Sequence, residues 1–305
     1  MNESAFRAKL AEAAAAIERT LDAELALEPH PGEPARPKRL VEAMRYATLA
    51  GGKRLRPFLV IETARALGRA DDGPVRAGAG IECLHAYSLI HDDLPSMDDD
   101  DLRRGRPTVH RAYDEATAIL AGDALQTLAF QILADPTTDP NAETRARLCA
   151  GLARASGLAG MVGGQMLDLL AEKSEPLPLE EIARLQAMKT GALLSFSVEA
   201  GALLAGATAP ATTALEAYGG ALGAAFQVAD DLLDAEGDEA ALGKRAGKDA
   251  GRGKATLVSA LGVVGAREEL GRLVAKAKAA VDAAGLGSEG DMLRAAAEFV
   301  AARKN

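Results

Sequence analysis

The sequence predicts an all-α protein, a single-domain bundle of about ten helices over residues 1–305. Hydrophobic residues at 48% and charged residues at 26% supply enough apolar side chain for a real core. Aromatics at 3%, no Trp and abundant Ala disfavour a β-sandwich, whose strands need β-branched and aromatic side chains, and favour helix-on-helix packing. Apolar residues recur with a helical period from end to end. A length of 305 residues allows two domains, but no compositional shift or fixed-period repeat marks a boundary.

The chain opens with MNESAFRAKLAEAAAAIERTLDAEL, where charges interrupt the apolar pattern every few residues, so it is an amphipathic helix without the continuous apolar core of a secretion signal. The breakers EPHPGEPARP (28–37), GRADDG (68–73), ADPTTDPN (134–141) and EKSEPLP (172–178) then separate successive helices. The apolar helix containing IECLHAYSLI must stop at Pro95, which lacks an amide hydrogen and restricts the residue before it. Pro178 followed by Glu180 and Glu181 has the composition of a helix N-terminus. The most apolar later stretch, 191–215, is broken by Glu199 and Pro210 and falls short of a membrane span, so no transmembrane helix is predicted. Gly219, Gly220 and Gly223 within a helix cost stability, and either admit close helix contact or are simply tolerated. Ser288 with Asp291 resembles a capping box opening the last helix.

Lys and Arg number 35 against 44 Asp and Glu, a net charge of -9, so the overall field repels polyanions and no nucleic-acid partner or stable membrane insertion is expected. Any anionic ligand must be recruited by clustered cations or by metal. The two cysteines, Cys83 and Cys149, lie in apolar helical context, form no disulfide framework, and fit a reducing cytoplasm.

Two acidic segments carry the chemistry. The first, His91 to Gly105, packs six carboxylates into ten residues at the end of an apolar helix, where a loop after Pro95 can turn Asp98 back toward Asp92. Converging carboxylates suit a hard divalent cation, since Mg²⁺ takes one or two of them together with substrate phosphates; an EF-hand is excluded because Arg103 stands where that loop needs Gly. The second, FQVADDLLD, places Asp230 and Asp234 four apart on one helix face and turns Asp231 elsewhere. Either segment alone is ordinarily a solvated acidic surface; two such segments, both on apolar helices, are unlike chance. Cations that could take phosphate occur at Lys53, Arg54 and Arg56 after a Gly pair, at Arg103 and Arg104, at Lys189, and at Lys244, Lys248 and Lys254. Most read individually as surface charge, but Lys189 lies on an inward face and needs an anionic partner.

GGKRLRP, HAYSLIHDDLPSMDDDDLRRG, AGDALQTLAF, GGQMLDL, MKTGALL and FQVADDLLDAEGD, in this order and spacing, closely resemble the bacterial short-chain trans-isoprenyl diphosphate synthases over nearly the whole chain. The resemblance implies helices surrounding a deep central active-site cavity (the isoprenoid synthase fold), a homodimer, and three Mg²⁺ per site. It implies that Asp92, Asp98, Asp230 and Asp234 are metal ligands, with Asp93 and Asp231 behind them. Arg103, Lys189 and Lys244 would hold an allylic diphosphate, with Thr190 and Gln227 near its leaving oxygen; Lys53, Arg56, His85 and Arg104 would hold isopentenyl diphosphate. Without the resemblance, His85 reads as a core histidine, and Cys83 diverges from it by about 200° around the helix. Whether Lys248 or Lys254 is a second closing cation stays open. The implied activity is head-to-tail condensation of isopentenyl diphosphate with dimethylallyl and geranyl diphosphate.

Product length must depend on what floors the pocket below Asp92. Ser88 lies one turn beneath it but is small; Tyr87 is large enough to block a tail. In the family, an aromatic here with the Pro95-Ser96 insertion implies farnesyl diphosphate, with geranylgeranyl or geranyl diphosphate as the alternatives. A terpene cyclase would have a different second metal motif and no need of GGKRLRP; a silent subunit would lack anchors that are present; a plain cation-binding protein leaves Arg56, Arg104 and Lys189 unexplained.

Overall fold

The computed structural model describes residues 3–171, 177–236 and 256–302. Helix α1 (Glu3–Glu24) buries Phe6, Leu10, Ala13, Ile17 and Leu21, a stripe at spacings of three and four. It is followed by α2 (Lys38–Thr48), α3 (Leu55–Ala66) and α4 (Gly73–Asp92). A two-stranded antiparallel hairpin, β1 (Leu102–Arg103) and β2 (Arg106–Pro107), leads to the single turn α5 (Val109–Ala112). Next come α6 (Glu115–Ala134), α7 (Ala142–Ser156), α8 (Met161–Ala171) and α9 (Leu179–Gln186), the last running through a π-helical turn (Ala187–Gly191) into α10 (Ala192–Leu204). The long α11 (Ala209–Glu236) and α12 (Leu257–Ala283) follow, then a 3₁₀ turn (Gly287–Gly290) and α13 (Asp291–Ala301). The expected all-α bundle of about ten helices is present.

The core centres on α10, which is apolar around most of its circumference and mostly buried, with Glu199 reaching Arg154 at the edge. Its Leu193, Phe196, Ala200 and Leu204 join one cluster with α4, α6 and α7, while Leu194, Val198 and Ala202 join a second with α3, α11, α12 and α13. α1 and α3 contribute to both, tying the two halves together. The glycines of α11 differ among themselves: a Cβ at Gly223 would fall 2.8 Å from Gly191 Cα and one at Gly219 2.9 Å from Ser195 Cα, whereas Gly220 faces open space. The first two admit close contact with the π-turn and α10.

The breakers at 28–37, 68–73 and 134–141 fall where expected; residues 172–176 of the fourth lie outside the described residues, and its Pro178 is the N-cap of α9 with Glu180 and Glu181 in the first turn. One expectation needs correction. Ser288 and Asp291 form no capping box: left-handed Gly285 and Gly287 turn the chain into the 3₁₀ segment, and Gly290 precedes α13 without a side-chain cap. The capping box lies at Thr256 and Ser259, opening α12. The 191–215 stretch falls short of a span as expected; among the described residues α6 is long and apolar enough to cross a membrane by length and composition, but half of that window is buried in the bundle.

Candidate active site

One cavity of about 980 Å³ opens among α3, α4, α8, α9, the π-turn, α11 and the β-hairpin. Of the predicted residues it is lined by Lys53, Arg56, His85, Tyr87, Ser88, Asp92, Asp98, Arg103, Arg104, Lys189, Thr190, Gln227 and Asp230. Asp234, one turn beyond Asp230, is half-buried but does not line it. Lys244, Lys248 and Lys254 lie outside the described residues.

Asp92 is the last residue of α4, and Pro95 ends the helix as expected. The chain then folds back: the amide of Asp98 donates to the Asp92 carbonyl at 2.8 Å and that of Asp100 to the Asp93 carbonyl at 3.2 Å, with Asp99 left-handed at φ 49°. Burial, reinforced by the charges of Asp98 and Asp93 and opposed by Lys189 and Arg103, pushes the Asp92 carboxyl up to about 6. Across the cavity α11 presents Asp230, and behind it buried Asp231 accepts from Gln186 Nε2 at 2.8 Å, Gln227 Nε2 at 3.2 Å and the Leu257 amide at 3.0 Å. Asp231 therefore joins α9, α11 and the start of α12; burial pushes its carboxyl up against these three hydrogen bonds.

Among the described residues no three His, Cys, Asp or Glu side chains converge closely enough to cage a metal unaided. Asp92 and Asp98 on one wall and Asp230 on the other nonetheless fit Mg²⁺, which commonly completes its shell with water and substrate phosphate instead of protein.

The cations come from strained or irregular backbone. Lys189 and Thr190 ride on the π-turn, a form frequent at functional sites, and Gly164 lets α8 approach it: a Cβ there would lie 2.2 Å from the Lys189 nitrogen. The anionic partner that Lys189 needs is Asp168 on α8, at 2.5 Å. Arg103 grips buried Asp93 through Nε and Nη2 at 2.8 and 2.6 Å. Arg104, left-handed at φ 52°, donates to the Gly51 carbonyl and lies across Gly52, where a Cβ would fall 2.8 Å from its Nη1. Lys53 Nζ stands 5.8 Å from the Phe299 ring of α13. His85 is held well below the ordinary histidine range by burial and then by Arg56, Arg104 and Arg103, so it is neutral at pH 7 and offers hydrogen bonds without charge.

Sequence reasoning gave no role to Asp168, Glu82 or His91, and named Arg54 only as one of the cations that could take phosphate, yet all four line the cavity. Asp168 had a signal, a lone acid in the apolar GGQMLDL helix; the pairing of Arg54 with Glu82 across 28 positions had none. Cys83 is buried and Cys149 half-buried, both as free thiols.

The chain belongs to the polyprenyl synthetase family, whose sequence pattern matches residues 37–284. It is 51% identical over 242 residues to the farnesyl diphosphate synthase of Escherichia coli K12, covering 78% of this chain and 80% of that protein. It is 43% identical over 268 residues to the farnesyl diphosphate synthase of Bacillus subtilis, covering 88% and 90%. The crystal structure of an FPP/GFPP synthase from Zymomonas mobilis superposes with a TM-score of 0.87 at 44% identity, covering 99% of this chain and all of that one.

Proposed function

We propose that the protein is a trans-prenyltransferase that condenses isopentenyl diphosphate head-to-tail with dimethylallyl and geranyl diphosphate to give farnesyl diphosphate. The carrying observation is that a single cavity is lined by acids from both motifs and by two separate groups of cations, one able to face each diphosphate. A cyclase has one diphosphate to hold and leaves Lys53, Arg56 and Arg104 without purpose. Farnesyl diphosphate synthases among the relatives, and Tyr87 in the cavity wall, support the fifteen-carbon product.

The chemistry follows from where charge develops. Breaking the allylic C1–O bond leaves a carbocation and a multiply charged diphosphate, so positive groups aimed at the diphosphate lower the barrier. Magnesium held by Asp92, Asp98, Asp230 and Asp234 would supply most of that charge. Lys189, released from Asp168, and Arg103 supply the rest, together with Lys244, while Thr190 and Gln227 orient the leaving oxygens. At the other end Lys53, Arg56, His85 and Arg104 seat isopentenyl diphosphate so that its double bond attacks the cation; a carbon–carbon bond forms and a proton leaves. No nucleophilic side chain is needed.

This reading includes one domain, the reducing cytoplasm, three Mg²⁺ per site and a homodimer. Support for the dimer is the exposure of Ile119 and Leu120 on α6, Leu158, and Leu170 on α8. The test is radiolabelled isopentenyl diphosphate with each allylic partner and Mg²⁺, followed by chromatography of the products. Asp92→Ala and Asp230→Ala should each lose orders of magnitude in turnover with unchanged circular dichroism; near-normal turnover in either variant rejects the role of that motif.

A further inference from the structure

His91 lines the cavity one turn beyond Tyr87 on α4. Its Nε2 lies 3.0 Å from the Ile119 carbonyl oxygen of α6, and because a carbonyl only accepts, Nε2 carries the proton of that hydrogen bond. Behind the ring is Gly122: a Cβ there would fall 2.2 Å from Nε2 and 2.5 Å from Cδ2. In front is Tyr87, whose ring meets the imidazole edge-to-face at 5.4 Å and 89°. The Asp123 carboxylate stands 4.0 Å from Nε2 on the α6 side. The imidazole is thus wedged between the α6 backbone and the phenol ring, and a side chain at position 122 would displace it.

We propose that His91, seated on Gly122, is the positioning residue for Tyr87 and through it sets how long a prenyl tail the cavity accepts. The inference rests on the reading that a prenyl chain grows in this cavity. A blocking ring is only as firm as what stands behind it, and Tyr87 is attached to its helix through rotatable bonds. Removing the imidazole gives the phenol room to swing aside and admits a further five-carbon unit. A methyl group at position 122 drives the imidazole forward against Tyr87 and narrows the floor. The bond chemistry is the same in every round, with one C1–O bond broken, one carbon–carbon bond formed, and one proton and one diphosphate released; only the number of rounds changes.

The test compares products of the wild type, His91→Ala and Gly122→Ala from dimethylallyl and isopentenyl diphosphate with Mg²⁺. His91→Ala should raise the ratio of twenty- to fifteen-carbon product about tenfold or more, the scale set by one missing wall contact in an apolar pocket. Gly122→Ala should move the ratio the other way and accumulate the ten-carbon product. Combining His91→Ala with Tyr87→Ala should lengthen the product less than the two single effects multiplied together, because both act through one ring. If Gly122→Ala fails to fold by circular dichroism, His91→Ala decides alone. Unchanged ratios with a normally productive wild type overturn the inference and leave the prenyltransferase reading standing. A wild type that makes no prenyl product overturns that reading and the inference with it.

Discussion

Replacing Glu82 by Gln tests whether the floor of the isopentenyl site is held by a buried charge pair. Arg54 precedes α3 in a left-handed conformation, φ 48°, which a non-glycine residue holds only where its surroundings enforce it. Its guanidinium pairs with Glu82 at 2.6 Å, with the two side chains 2% and 5% exposed. A second nitrogen donates to the Thr48 carbonyl and stands 3.8 Å from half-exposed Glu18. Stranding one partner of such a pair costs about 3–5 kcal/mol. Gln keeps an oxygen to accept the hydrogen bond, returning about 1 kcal/mol, and Glu18 retains some compensating charge. The expected loss is therefore about 2–3 kcal/mol in denaturant unfolding. Because Arg54 sits between Lys53 and Arg56, the apparent KM for isopentenyl diphosphate should rise while that for the allylic partner stays within about twofold, a smaller change than one lost charge-assisted contact produces. A stability loss below about 0.5 kcal/mol, the range of an ordinary surface change, refutes the structural role. An equal rise in both KM values refutes the link to one substrate.

Three further outcomes are expected. Arg56→Gln removes a cation from the isopentenyl end and should raise the KM for that substrate by about tenfold or more, a charge-assisted bond being worth about 1.5–3 kcal/mol, with little change for the allylic diphosphate; steady-state kinetics with each substrate varied in turn decide it. Tyr87→Ala should shift the product mixture toward geranylgeranyl diphosphate and longer, read by chromatography, and exclusive farnesyl diphosphate would place the floor elsewhere. With its carboxyl pushed up to about 6, Asp92 makes a contribution to the stability of the metal-free protein that is present below its unfolded value and lost as pH rises through 6. Metal needs the carboxylate, so below pH 6 proton competition at this group should weaken Mg²⁺ binding by up to about tenfold per pH unit, with proton release on binding; calorimetry in buffers of different ionisation enthalpy that finds no release contradicts it.

The helical architecture was legible because composition and periodicity act locally and agree. The acidic walls were legible too, since a carboxylate run ending an apolar helix conflicts with packing unless something else uses it. What stayed hidden depends on backbone shape and on distant pairing. The π-turn that lifts Lys189 inward leaves only an ambiguous trace, and Asp168 was visible as an odd acid with no indication of its partner. Glu82 reads as one more helix residue until α3 lays Arg54 against it. The Ser288 capping expectation failed because left-handed glycines outrank a capping pattern once they redirect the chain.

The charges of the substrate-free cavity are arranged in two unlike ways, and the difference bears on how substrate enters. The cations proposed for the allylic site are already paired: Lys189 with Asp168 at 2.5 Å and Arg103 with Asp93 at 2.6 Å. Each thereby avoids the cost of a buried unpaired charge and holds its geometry before any ligand arrives. The acids at the end of α4 lack such pairing: burial first, and then the neighbouring charges of Asp98 and Asp93, hold the Asp92 carboxyl above its ordinary range, so a cation placed there would relieve both costs. A bare diphosphate meets repelling carboxylates and cations already engaged, whereas a diphosphate arriving with Mg²⁺ relieves the repulsion and then competes for Lys189. On the proposed activity, this arrangement would suit a diphosphate that arrives with Mg²⁺ better than the free anion, and Lys189 would have to leave Asp168 to reach it.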